Sequence, residues 1–343
     1  MKAVAFVAPG KMEVRDVPEP EPREGFVIVD VAYCGICGSD VHEYTAPGPS
    51  LRAAGMFQPV MGHEFTGVVA RTGAGVDGLK PGDPVVVHPG GACGNCFYCQ
   101  RGETNVCSAQ VGLGYVNQGG YAERVAVRAD QALWLPDESW LERAALTEPF
   151  GVGLRAVNRG GLNPSESVLI AGGGPIGQFS LIAAVRRGGG TIIVAEPAAP
   201  RRELALRLGA HHAIDPANST PAQALQLTGG TGCDVAIEAV GIPRTMDDCL
   251  MAVRRAGRVV VAGSFFEPYS INLLNLIMQE QTILGTFGYV EEFAEARDLI
   301  VSGEVDVSPL ISARVSLEQL PDTFAEIAGD RSKYQKVLVR PNS

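Results

Sequence analysis

Val168-Leu169-Ile170-Ala171-Gly172-Gly173-Gly174-Pro175-Ile176-Gly177 decides the fold. The short, unbroken apolar run reads as a strand buried on both faces. The glycines after it fit G-x-G-x-x-G, and Ile176 to Arg187 reads as a helix. Strand, glycine loop and helix in that order make the first turn of a dinucleotide-binding unit. Gly172 would allow the tight turn, Gly174 would let the backbone approach a pyrophosphate, and Gly177 would let helix and strand pack closely. With Pro175 and Ile176 they open a helix whose free N–H groups can receive phosphate.

Downstream, Thr191 to Glu196 reads as the next strand, and Arg201 to Leu208 as a helix ended by Gly209. A carboxylate at Glu196 would accept hydrogen bonds from an adenosine ribose and repel a 2′-phosphate. NAD is therefore expected over NADP. Arg201 could flank the adenine or ribose, although Arg201 and Arg202 together could also soften the exclusion of NADP. Apolar strands follow at 234–238, 258–262 and 282–287. Val240, Gly263, Ser264, Thr286 and Phe287 sit at or beyond their C-terminal ends, where ligands collect in open α/β sheets. They are expected to wall the cofactor, or else to be plain strand-end turns. Strand–helix alternation over residues 154–288 predicts a doubly wound parallel sheet.

Residues 1–153 carry a different rhythm. Short strands such as Phe26-Val27-Ile28-Val29-Asp30-Val31-Ala32 and Pro84-Val85-Val86-Val87 are punctuated by Gly and Pro. They predict a compact β-rich domain. The tail, residues 289–343, is expected to return to that domain, with helices around 291–301 and 317–328 and strands around 310–315 and 336–340. The whole is an α/β protein.

The chain has 343 residues, 46% hydrophobic and 19% charged, with a formal net charge of −10. That length and composition suit two domains with large cores. The acidic balance, without a basic patch, argues against nucleic acid and anionic membranes as partners. No apolar run approaches the ~20 residues of a membrane span. The first ten residues are broken by Pro9 and Gly10 and read as a strand, not a signal peptide. Eight cysteines without a signal peptide suit a reducing, cytoplasmic location.

Four of those cysteines, Cys93, Cys96, Cys99 and Cys107, are spaced C-x2-C-x2-C-x7-C in a lobe of about residues 88–110. Cysteines this close are poorly placed to pair with one another. Four thiolates so spaced can wrap one tetrahedral zinc, and a closed all-cysteine site has no open position for chemistry. A structural zinc is expected there.

A second set is scattered: Cys37-Gly38-Ser39-Asp40-Val41-His42, then Gly62-His63-Glu64, then Thr147-Glu148-Pro149. Each piece is weak alone, since a lone thiol usually packs in a core. Together Cys37, His63, Glu64 and Glu148 supply one thiolate, one imidazole and two carboxylates, the kit for a zinc with an exchangeable position.

With Gly119-Gly120-Tyr121-Ala122-Glu123 and the glycine fingerprint in order, the chain resembles the zinc-containing medium-chain dehydrogenases, the alcohol and polyol dehydrogenase family. The resemblance covers essentially the whole chain. It implies a GroES-like catalytic domain and a Rossmann domain, two zincs, and reversible hydride transfer between a small alcohol or ketone and NAD. It implies that Cys37 and His63 ligate the catalytic zinc. The family varies in the remaining protein ligand, so both Glu64 and Glu148 are carried over. Asp40 would orient His63, and Ser39 and His42 would relay the alcohol's proton to water. Zinc's Lewis acidity would let the alcohol ionise near neutral pH. His42-Glu43-Tyr44 looks most like the 2,3-butanediol branch; the arginine of sorbitol-type members is missing before Tyr289. Phe57, Phe150, Phe265 and Phe266 could make the pocket apolar, or be core. Threonine-dehydrogenase-like chemistry is the next choice. A retired member acting as a binding protein predicts damaged motifs, and none is seen. The resemblance also implies a homodimer or homotetramer, and the apolar segment 271–287 could join the copies.

Overall fold

The computed structural model describes residues 1–46 and 59–342. Phe57 lies outside the described residues. The chain forms two compact units, Pro149–Glu292 and Met1–Glu148 with Phe293–Ser343.

In the first of these units, six parallel strands lie in the order His212–Ile214, Ile192–Ala195, Val168–Ala171, Cys233–Glu238, Val253–Val261, Thr282–Gly285. Val168–Ala171 and Ile192–Ala195 are buried along their whole length, which is why they read as continuous apolar runs. Four helices, Pro175–Arg186, Ala199–Arg207, Thr220–Leu227 and Pro243–Ala252, carry proline in their first turn, where its missing N–H costs no helical bond. Strand order reverses between Val168–Ala171 and Cys233–Glu238. Ligands of such sheets bind at that switch, outside the carboxyl ends. The last strand stops at Gly285, so Thr286 and Phe287 belong to the segment beyond it.

The other unit is a mostly antiparallel sheet ordered Ile311–Ser316, Lys336–Arg340, Phe26–Gly35, Glu64–Thr72, Pro84–Val87, Ala132–Trp134. Arg124–Arg128 also pairs with Phe26–Gly35, at its start. Lys336–Arg340 pairs at its end, opposite Cys34 and Gly35. The C-terminal strand therefore lies against the segment that leads into Cys37. Val27, Val29, Val31, Phe65, Val85, Val87, Tyr121 and Phe324 fill this core. Each fully buried side chain of this kind contributes about 1.5–3 kcal/mol. Among the described residues no helix is long and apolar enough to cross a membrane.

Candidate active site

The end of strand Phe26–Gly35 runs into helix Gly38–Thr45, and Cys37 stands at the junction. Asp40, in the first turn, accepts the Cys37 N–H at 3.1 Å and the Tyr121 hydroxyl at 2.7 Å. This holds the helix start and fixes the thiol. Gly62 adopts φ +94°, and a Cβ there would meet Cys34 Sγ and the Tyr121 ring at 2.8 Å. Only glycine lets the chain turn here and deliver His63 and Glu64 to the same spot. Cys34 itself packs in the core.

The result is a cluster drawn from separate segments. Cys37 Sγ, an imidazole nitrogen of His63 and a carboxylate oxygen of Glu64 lie within 4.8 Å of one another. His63 and Glu64 are buried. Asp40 Oδ1 faces His63 Nδ1 at 3.6 Å, an ion-pair distance rather than a hydrogen bond. The opposite nitrogen, Nε2, meets the hydroxyl of Tyr115 at 2.9 Å. Glu148 lies in the first turn of helix Thr147–Gly160 and stands outside the 4.8 Å group. Its charge is felt at Tyr115 and at Lys336.

Lys336 was not foreseen. It is buried, donates to Glu64 Oε1 at 2.5 Å and to the Ile36 carbonyl at 3.0 Å. Burial opposes its charge, yet Glu64 and Cys37 keep its pKa raised. Burial likewise opposes a charged His63, and Asp40 and Cys37 overcome it, holding the imidazole pKa well above its ordinary value. A buried place that draws protons onto both basic groups is electronegative. Glu64 Oε2 also lies against Lys336 Nζ at 2.5 Å, whereas among the described residues His63 Nδ1 has no hydrogen-bond partner. Thiolate, imidazole and carboxylate in such a field fit a zinc ion.

The second cluster is local. The sulfurs of Cys93, Cys96, Cys99 and Cys107 lie within 4.8 Å of one another, around the short helix Phe97–Gln100. Cys107 Sγ accepts the N–H groups of Cys93 and Ala109 at 3.4 Å. Backbone donors from Cys99 and Ser108 pull the Cys96 thiol down to about 5. All eight cysteines are free thiols. Four sulfurs gathered this closely, with backbone donors turned toward Cys96 and Cys107, fit a closed zinc site.

Of the relay residues, Ser39 and His42 share one face of helix Gly38–Thr45, three residues apart. Ser39 Oγ lies 3.4 Å from the Tyr115 hydroxyl. Burial and the charge of Arg331 lower the His42 pKa, favouring a neutral imidazole that can accept a proton.

In the parallel-sheet unit, Gly172 has φ +105°, and a Cβ there would meet Val240 Cγ2 at 2.6 Å. A Cβ at Gly177 would run into the Gly172 carbonyl, whereas at Gly174 it would meet only Arg201 Nη1 at 3.8 Å. The loop's backbone is thus open at Gly174 and closed at its two ends. Gly174 caps the helix and Pro175 and Ile176 start it. Buried Glu196 accepts the N–H of Gly173 at 2.7 Å and of Ala198 at 2.9 Å. Arg202 donates to the carbonyls of Glu196 and Pro197, at 2.7 and 2.6 Å. One buried group here, Gln178, also escaped sequence reasoning. Gln178 ties the Gly173 and Arg201 carbonyls together, at 3.1 and 3.0 Å. Glu238 gathers the N–H groups of Val240 and Gly241 and the Thr245 hydroxyl. Gly263, Ser264, Thr286 and Phe287 follow the ends of the next two strands, and Phe287 is exposed. Phe150 is fully buried against Phe179, and Phe265 packs on the core beside Tyr269.

Comparison with known proteins agrees with this geometry. The alcohol dehydrogenase GroES-like domain matches residues 23–137, and the zinc-binding dehydrogenase family matches residues 175–302. Sorbitol dehydrogenase of Bacillus subtilis (strain 168) is 33% identical over 100% of this chain and 98% of its own. The chain belongs to the zinc-dependent medium-chain dehydrogenases. (R,R)-butanediol dehydrogenase of Neisseria gonorrhoeae is 32% identical to this dehydrogenase, over 100% of both chains. A Sinorhizobium meliloti 1021 protein assigned as a zinc-binding dehydrogenase and solved with NADP superposes with a TM-score of 0.89, at 32% identity over 99% of both chains. The six-stranded unit is accordingly the Rossmann domain of a zinc-dependent oxidoreductase that works with a nucleotide cofactor, and the other unit carries the GroES-like fold.

Proposed function

We propose that this dehydrogenase oxidises a small secondary alcohol, vicinal diol or polyol with NAD and reduces the matching ketone or acyloin in reverse. The observation that carries the reading is the buried meeting of Cys37, His63 and Glu64. These three would hold the catalytic zinc, with Glu148 as the carboxylate that could exchange with Glu64. When bound, the zinc supplies Lewis acidity that lets an alcohol hydroxyl lose its proton near neutral pH. Ser39 receives that proton at Oγ and His42 passes it to water. Asp40 faces the far side of the His63 ring and favours a positive ring edge there. Gly172, Gly174, Pro175, Ile176 and Gly177 would hold the phosphates of NAD, the hydride acceptor, and Glu196 its ribose. Arg201, Val240, Gly263, Ser264, Thr286 and Phe287 would line its path. Cys93, Cys96, Cys99 and Cys107 hold a second zinc that braces the fold and does no chemistry.

The sorbitol and butanediol dehydrogenases among its relatives support the substrate class. Preference for NAD rests on the buried Glu196 carboxyl group beside the glycine loop. Arg202, tied to carbonyls, is not poised for a 2′-phosphate. A second copy of the chain is the expected partner. Strand Thr282–Gly285 pairs on one side only among the described residues, and Leu273, Leu274, Ile277 and Met278 beside it are exposed. A cytoplasmic location suits eight free thiols.

The test is a panel of secondary alcohols, diols, polyols and amino alcohols, assayed with NAD and NADP by the absorbance of the reduced cofactor. NAD-dependent turnover of diols or secondary alcohols is expected. A protein inert toward the whole panel would sink the reading.

A further inference from the structure

Glu238 ends strand Cys233–Glu238 and is fully buried at the carboxyl edge of the parallel sheet. Its Oε1 receives the Val240 N–H at 3.0 Å, the Gly241 N–H at 2.9 Å and the Thr245 hydroxyl at 2.6 Å. Its backbone carbonyl receives the N–H groups of Ala262 and Gly263, at 2.8 and 2.9 Å. The N–H of the next residue, Ala239, goes to the Ala171 carbonyl at 2.9 Å, just before the glycine loop. The ends of three neighbouring strands are thus joined at this one residue.

Packing tightens the same junction. Gly241 has φ +89°, and a Cβ there would meet the Ser264 carbonyl carbon at 2.7 Å. A Cβ at Gly263 would fall on Glu238 Oε2, which among the described residues has no hydrogen-bond partner. Val240 is where the arrangement reaches the cofactor's side. Its Cγ2 would lie 2.6 Å from a Cβ at Gly172, so the side chain covers the first glycine of the loop while its other side stays exposed. A turn beyond a strand end has no ladder to fix its N–H groups. Here two of them converge on one carboxyl oxygen. Without that oxygen the turn loses the partner that sets its direction, and Val240 loses its place over Gly172. A binding surface keeps its shape through the hydrogen bonds behind it.

We propose that Glu238 is a positioning residue for the cofactor: acting through Val240, it keeps the seat at the glycine loop in the shape that receives the dinucleotide. This rests on the reading that the cofactor binds at that loop, and it adds the residue that stands behind the seat.

The experiment measures the Kd of NADH by fluorescence, KM for NAD, kcat, and the melting temperature without cofactor, in the wild type, Glu238→Ala and Glu238→Gln. Glutamine keeps a carbonyl oxygen for the same donors. Glu238→Ala should weaken NADH binding and raise KM for NAD about tenfold, with a much smaller change in kcat at saturating NAD. Glu238→Gln should recover binding to within about threefold of the wild type. Val240→Ala should itself weaken NADH binding, and Glu238→Ala added to it should cost less than about threefold more, because the two act as one unit. A merely structural role would lower the melting temperature and leave the Kd of the folded molecules in place, which overturns the proposal. Glutamine binding as weakly as alanine, or additive losses in the double variant, also overturns it. If Glu238→Ala does not fold, Val240→Ala still decides: NADH binding unmoved by it overturns the proposal. Should the wild type bind NADPH in place of NADH, every comparison is read with NADPH. A wild type that binds neither sinks the cofactor reading and this inference with it.

Discussion

The two candidate metal sites of this chain are built on opposite principles. The four-cysteine set lies within one short segment, part exposed, with backbone N–H groups aimed at sulfur. The Cys37–His63–Glu64 set is assembled from two strand ends, buried, chemically mixed, and backed by a buried lysine. The first would saturate an ion with identical ligands and leave it nothing to do. The second would offer fewer ligands of different hardness in an electronegative pocket, which would leave a place for substrate. The two candidate sites differ in how far the chain must fold before the ligands meet.

The largest expected difference comes from removing one ligand from each site. Cys37→Ala should reduce turnover by at least about a thousandfold while the lobe zinc and the circular dichroism spectrum stay. Cys99→Ala should release the lobe zinc and lower the melting temperature, with far smaller loss of turnover per folded molecule. Comparable loss of turnover in both would erase the distinction.

Next in size is Lys336→Met. It leaves the buried Glu64 carboxylate without its cation, a kind of change that costs about 3–5 kcal/mol. Denaturant unfolding should show a larger loss in metal-depleted protein than in zinc-loaded protein, because in the latter a second cation faces Glu64. An equal loss in both would separate Glu64 from the metal.

Smaller is Glu196→Ser: on the proposed ribose role of Glu196 it should raise the kcat/KM ratio of NADP to NAD about tenfold, since the carboxylate that would repel a 2′-phosphate is gone. Unchanged selectivity would discredit the ribose assignment. Smallest is His42→Gln. Oxidation by the wild type should fall as pH drops through the His42 pKa, which lies below its ordinary value because burial and Arg331 disfavour the charged ring. Above that pKa the ring is neutral and accepts the proton; below it the ring is already charged. The variant should lose that acid limb in a pH profile of kcat/KM, and a variant that keeps it excludes His42 from the relay.

The same contrast explains what could be read before folding. The Rossmann unit was legible because strands buried on both faces are apolar from end to end, as Val168–Ala171 is. The cysteine lobe was legible because its ligands are neighbours in the chain. The reactive set was legible only as fragments, joined by resemblance. Lys336 was hidden because a lone lysine opening a terminal strand reads as solvated; only its pairing beside Gly35 and Cys34 buries it. Tyr115 left a fainter signal, an aromatic residue in a glycine-rich stretch between the lobe and Gly119-Gly120. Gln178 acts through backbone groups, and sequence pattern does not report those.

The most direct test is stepwise removal of metal by a chelator, with zinc content and alcohol oxidation measured on the same samples. Two zincs per chain at the outset are expected, with turnover disappearing as the Cys37–His63–Glu64 ion leaves and returning when it is restored. Full turnover in protein that retains only the lobe zinc, or none, would contradict the account.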